Sequence, residues 1–152
     1  MRTIRQLRSD AAEIRRAATG LAARARAERA GVLSLNQTAV LGRLATHGGM
    51  TPGEMAAQLR LQPQSLTRTF AALEEAGHVV RTPDPGDGRQ FQLTITATGR
   101  RALRDEMAPR DTWLAHAMAE VLSDDERADL LRAAELMDRI AEFDRSVAPV
   151  ER

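Results

Sequence analysis

Cysteine is absent from the 152 residues, which excludes disulfides, cysteine-ligated zinc and thiol-based redox sensing through this chain. Lysine is absent as well, so all 22 cationic side chains other than histidine are arginine. That choice suits bidentate phosphate or base contacts and equally reflects genomic base composition. Aromatics are scarce, with one Trp, three Phe and no Tyr, so packing falls to Ala, Leu and other small or branched side chains, which favours helices. No apolar run approaches the ~20 residues needed to span a bilayer, and no apolar stretch follows residues 1–8 as it would in a signal peptide. A cytoplasmic location without a membrane partner is the expectation. There is no Gly-rich phosphate loop, no HExxH pair and no cysteine nucleophile. His47, His78 and His116 are not spaced as a metal set. Neither an enzyme nor a bound metal or cofactor is expected.

Net charge is only +1, but it is unevenly spread. Residues 1–33 carry eight Arg against three acids, and residues 100–152 carry thirteen acids against nine Arg. A basic start and an acidic end face different partners or each other across a dimer, unless the surface is merely unevenly solvated.

Ile4, Leu7, Ala11, Ile14, Ala18, Leu21 and Ala25 recur at gaps of three and four, the stripe of an amphipathic helix running from about Thr3 to Arg29. Ser34 or Asn36 caps a second helix, which His47-Gly48-Gly49 stops. Thr51-Pro52-Gly53-Glu54 is a capping box with Pro at the first helical position, opening a short helix that ends near Arg60. After the turn Leu61-Gln62-Pro63 a further helix places Leu66, Phe70 and Leu73 on one face and stops at Gly77. The period then changes to two. Val79 to Arg81 and Phe91 to Ile95 read as strands around the turn-rich tip Pro83-Asp84-Pro85-Gly86-Asp87-Gly88. Thr96 or Thr98 caps the next helix, in which Pro109 ends, kinks or restarts the pattern. Ser123 and Glu126 box the last helix, which has two apolar stripes: Leu130, Ala134, Met137, Ala141 and Leu136, Ile140, Phe143, Val147. Two stripes exceed what one small core needs, and a partner subunit is the simplest cover.

A short helix, a tight turn and a second helix form a helix-turn-helix, whose second helix enters the DNA major groove. With Leu66, Phe70 and Leu73 inward, the outward residues are expected to be Gln64, Ser65, Thr67, Arg68 and Thr69. None is acidic, and their side chains suit bases and phosphates. The hairpin beside them is placed like a wing. Arg89 at its tip suits a narrow minor groove. Asp84 and Asp87 either direct Arg89 or accept loop amides, and Arg81 touches phosphate or pairs with Asp84 or Asp87. An ordinary helical hairpin with a solvated turn is the plainer alternative.

The stretch LRLQPQSLTRTFAALEEAGHVVRTPDPGDGRQFQLTITATG, residues 59–99, resembles the MarR family of bacterial winged-helix regulators. Asp84, Asp87 and Arg89 match the family's wing, and Leu93, Thr94, Thr96 and Gly99 match its strand and helix start. The resemblance implies a mainly helical fold with a small β-hairpin wing. In it residues 34–99 are a winged helix-turn-helix flanked by dimerisation helices in residues 1–33 and 100–152. It also implies a homodimer held by the first and last helices, with Ile4, Leu7, Ile14, Leu136, Ile140, Phe143 and Val147 as expected interface residues. Its partner would be a pseudo-palindromic double-stranded DNA operator, and repression would be relieved by a small aromatic or lipophilic effector whose site the sequence does not locate. The sequence departs from the family at Gln62 and Gln64 around Pro63, which bears on operator choice, and at Phe70, which bears on packing. The missing cysteine excludes the branch that senses peroxides through a thiol. The rival is a winged-helix protein-interaction module without DNA affinity, which would not need Arg68 or Arg89.

Overall fold

The computed structural model describes residues 3–28, 31–84, 86 and 90–143. Among them six helices and one hairpin follow in chain order, and the chain divides into two compact units, residues 1–112 and 113–152.

In the first unit α1 (Ile4–Ala27) is capped by the Thr3 hydroxyl, and none of its residues is buried. Its stripe residues Ile4, Leu7, Ile14 and Leu21 stand exposed. Gly20 does not interrupt it. Ser34 rather than Asn36 caps α2 (Leu35–His47), in a reciprocal box with Gln37, and Gly48 ends that helix at φ 84°. Thr51 and Glu54 box α3 (Pro52–Leu59), which closes on Arg60 in the left-handed region at φ 51°. α4 (Pro63–Glu75) follows. Its end is a Schellman turn: Gly77, at φ 68°, donates to the Glu74 carbonyl at 2.9 Å and His78 to the Leu73 carbonyl at 2.8 Å, satisfying carbonyls the helix leaves open.

β1 (Val79–Pro83) and β2 (Phe91–Ile95) pair antiparallel, with Val79 opposite Ile95 and Arg81 opposite Leu93. Met50 adds a bridge to Leu93, so the segment before α3 is stitched to the hairpin. The core gathers Val40, Leu41 and Leu44 of α2, Met55 of α3, Leu66, Phe70 and Leu73 of α4, and Val79, Leu93 and Ile95 of the hairpin. The buried faces of α2, α3 and the hairpin thus form the platform that holds α4 by one face.

Thr96, not Thr98, starts α5 (Ala97–Val121): its hydroxyl accepts from the Gly99 amide at 3.0 Å and donates to the Gly77 carbonyl at 2.7 Å. Gly99 is needed because an added Cβ there would lie 2.1 Å from the His78 carbonyl oxygen. That oxygen is held by the Thr96 amide at 3.0 Å, so relief requires backbone movement. Gly99→Ala is expected to cost about 1–3 kcal/mol, the usual range for overpacking, measured by urea unfolding; an unchanged midpoint would contradict this packing. Pro109 lies inside α5, which neither ends nor restarts there. Proline there removes the amide that would bond the Asp105 carbonyl, and its ring crowds that carbonyl.

In the second unit, Ser123 and Glu126 box α6 (Asp124–Ala141). Hydrogen bonds from Ser123 hold the Glu126 carboxylate below its ordinary pKa. Arg127 closes the corner between the helices, donating to the Leu122 carbonyl at 2.6 Å and the Met118 carbonyl at 3.3 Å and pairing with Asp124. α6 also has no buried residue.

Candidate nucleic-acid interface

α4 presents its front on one side and its core face on the other. Leu66, Phe70 and Leu73 are buried, whereas Gln64, Thr67 and Arg68 are exposed. The Gln62 side chain does not cap the helix. Proline at the first position has no N–H to satisfy, and the Ser65 amide bonds back to the Gln62 carbonyl at 3.0 Å.

Two of the five residues expected on the outward face stand differently. Thr69 is buried, at 8% exposure, with its hydroxyl donating to the Ser65 carbonyl at 3.0 Å. Position 69 lies three residues after Leu66 and four before Leu73, so it shares their inward side. Its hydroxyl is satisfied within the helix, and the expectation of a surface contact is corrected. Ser65 is half-buried and accepts from the Asn36 side-chain amide at 3.2 Å, which ties the front of α4 to the start of α2.

Arg81 does not pair with Asp84, and a pairing with Asp87 falls outside the described residues. Its Nε and Nη2 reach the two carboxylate oxygens of Glu74, the latter at 2.8 Å, and its guanidinium lies 4.3 Å over the Phe91 ring. The Glu74 hydrogen bond raises the Arg81 pKa. The fork spans α4, β1 and β2, fixing the hairpin against the end of α4 instead of leaving a free cation. The Asp84 carboxylate accepts from the Gly86 amide at 2.8 Å, a local turn of the kind expected of Asp, and the Asp84 amide closes the hairpin on the Gln90 carbonyl at 3.1 Å. Asp87 and Arg89 lie outside the described residues, as does Val147.

Beneath the exposed front of α4 is a cavity of about 320 Å³ lined by Pro52, Gly53, Ala56, Leu66, Thr67, Phe70, Arg81 and Phe91. Its lining brings together two aromatic rings and one hydroxyl beside the Arg81 guanidinium, which Glu74 already engages. No group of three or more His, Asp or Glu among the described residues is placed to hold a metal, and no helix among them is long and apolar enough to cross a membrane.

One cluster escaped the sequence reading. Glu106 is fully buried; its Oε2 accepts from the Val32 and Leu33 amides at 3.1 and 3.2 Å, and its Oε1 from Arg110 at 3.0 Å. Gly99, Leu103, Glu106, Arg110 and Trp113 recur at gaps of four and three. The available signal was thus an opposite-charge pair, four residues apart, inside an apolar stripe. The Asn36–Ser65 bond carried no such signal, because it joins residues 29 apart.

Comparison with known proteins agrees with this geometry. The sequence model of the MarR family matches residues 33–90. An uncharacterised HTH-type transcriptional regulator of Mycobacterium bovis is 40% identical over 105 residues, 69% of this chain and 73% of that one. The crystal structure of a proposed transcriptional regulator from Pseudomonas aeruginosa PA01 superposes with a TM-score of 0.71 at 35% identity, covering 94% of this chain and 100% of the other. A MarR family protein from Bacillus stearothermophilus superposes with a TM-score of 0.74 over 94% of this chain and 100% of its own, at 21% identity, a likeness of fold.

Proposed function

This chain belongs to the MarR family of winged helix-turn-helix, DNA-binding transcriptional regulators, and from that premise we propose that it is a homodimeric repressor whose hold on its operator is relieved by a small aromatic or lipophilic effector. The observation that carries the DNA half is the exposed, acid-free front of α4, where Gln64, Thr67 and Arg68 project from a helix anchored on its other side. In a dimer, two such fronts would enter successive major grooves about 34–36 Å apart on one face of the duplex. Gln64, Thr67 and Arg68 would read base edges. Ser65, oriented by Asn36, would position a phosphate, and Arg89, flanked by Asp84 and Asp87, would read minor-groove shape. Arg81 would set the spacing between wing and helix through Glu74. The dimer reading rests on the exposed apolar residues of the outer helices: Ile4, Leu7 and Ile14 on one, Leu136 and Ile140 on the other, with Phe143 just past its end and Val147 later in the sequence. Apolar stripes of this extent mark interaction surfaces.

The effector reading rests on the cavity behind Thr67 and Phe70, since a molecule seated there would press on α4 and the hairpin at once. In Bordetella bronchiseptica BpsR, DNA binding is regulated by 6-hydroxynicotinic acid. To act, a ligand must bind the DNA-free arrangement more tightly than the bound one. The test is a mobility-shift titration on the gene's upstream DNA with a panel of aromatic acids, comparing the wild type with Ala56→Leu, which adds methylenes to the cavity wall. The variant is expected to hold DNA but to need at least roughly 10 times more effector for release, since a pocket wrong by one methylene already costs about 10–200-fold and leucine adds three carbons. Equal release of both proteins would remove the cavity from the account, and no shift of any DNA would remove the repressor.

A further inference from the structure

The outer helices carry opposite charge. α1 holds six Arg against two acids, and α6 holds six acids against three Arg. On α1, Arg8 and Arg15 sit two turns apart along one edge of the exposed stripe of Ile4, Leu7 and Ile14. On α6 and its C-cap, Glu135, Asp138 and Glu142, at gaps of three and four, line one edge of the stripe that includes Leu130 and Met137. All five side chains are exposed, and none makes an ion pair among the described residues, although other charges on both helices do, as in Arg24–Glu28 and Arg132–Asp129. Arg8 to Arg15 and Glu135 to Glu142 are each seven residues, about 10.5 Å along a helix, so the cationic pair and the anionic pair have matching spans.

We infer that a second copy of this chain neutralises these edges: Arg8 and Arg15 of one protomer pair with Glu135 and Glu142 of its partner, with Asp138 between them, so that apolar burial holds the dimer and charge sets its alignment. This rests on the homodimer reading above and adds to it a specificity rule. Two-fold symmetry makes every such pair occur twice, so pairs that are individually weak at a surface act together, while like charges brought together by a wrong register repel.

The test is sedimentation equilibrium of three samples: Arg8→Glu with Arg15→Glu, Glu135→Arg with Glu142→Arg, and an equimolar mixture of the two. All four positions are exposed, three on helices and Glu142 at the α6 C-cap, and far-ultraviolet circular dichroism checks folding. Each double variant is expected to dimerise roughly ten-fold or more weakly than the wild type, with the wild type weakening as salt rises. The mixture is expected to form heterodimers of near wild-type strength, because every pair in it again joins opposite charges. Dimers of unchanged strength in both variants would overturn the charge pairing while leaving the homodimer intact. Weakened variants whose mixture does not recover would overturn pairing in trans. A wild type that remains monomeric would instead remove the homodimer reading itself.

Discussion

Glu106→Ala is expected to lower folding stability by about 3–5 kcal/mol, the cost of breaking a buried ion pair by removing one partner. The carboxylate is fully buried and takes three hydrogen bonds, from the Val32 and Leu33 amides and from Arg110. Alanine leaves the buried Leu33 amide without its acceptor and Arg110, 12% exposed, without its counter-charge. Its Nε is already buried without a partner. For a chain of this length the loss corresponds to a drop of roughly 6–20 °C in Tm. Glu106→Gln keeps an acceptor for the amides and gives up only the charge, so it is expected to cost less than alanine. Thermal and urea unfolding of the three proteins at one protomer concentration, which a dimer requires, decides the matter. An alanine variant within about 0.5 kcal/mol of wild type, the usual effect of a neutral surface change, would show that the cluster does not hold the start of α2 to α5.

Arg68→Ala is expected to weaken operator binding by about 1–3 kcal/mol per half-site if the guanidinium makes a bidentate base contact. A dimer presents Arg68 twice, so the loss on a whole operator doubles to about 2–6 kcal/mol. The discriminating control is DNA of scrambled sequence. A base contact is lost on the operator and leaves scrambled DNA nearly unchanged; a phosphate contact is lost equally on both, with a salt slope shallower by about one per protomer. An equal loss would demote Arg68 from reading to anchoring. Folding is not at issue, since Arg68 is exposed and makes no ion pair among the described residues.

The fold was legible where short-range chemistry decided it. The boxes Thr51–Glu54 and Ser123–Glu126 each use residues three apart, and the alternation of Phe91, Leu93 and Ile95 needs only the period of a strand. The family followed from the same local text, because the wing and the Thr96-to-Gly99 turn are contiguous. What remained hidden was the pairing of distant residues. Arg81 had nearby carboxylates at Asp84 and Asp87, yet its partner is Glu74, reached only because the Schellman turn folds β1 back along α4. Thr69 was misplaced for a different reason: polarity suggested the outer face, whereas helix phase puts it between Leu66 and Leu73, and a hydroxyl can satisfy itself on the carbonyl four residues back. Glu106 was hidden by its composition, one acid in a run of charges, and only its phase with Leu103 marks it as core.

The central claim is that two copies of α4 meet one face of a duplex, and footprinting tests it most directly. Hydroxyl-radical cleavage of the upstream DNA, read on both strands with wild-type protein, is expected to show two protected segments one helical turn apart, related by approximate two-fold symmetry and lost steeply as salt rises. Protection of a single unpaired segment, or none at low salt on any fragment of that region, would contradict the account.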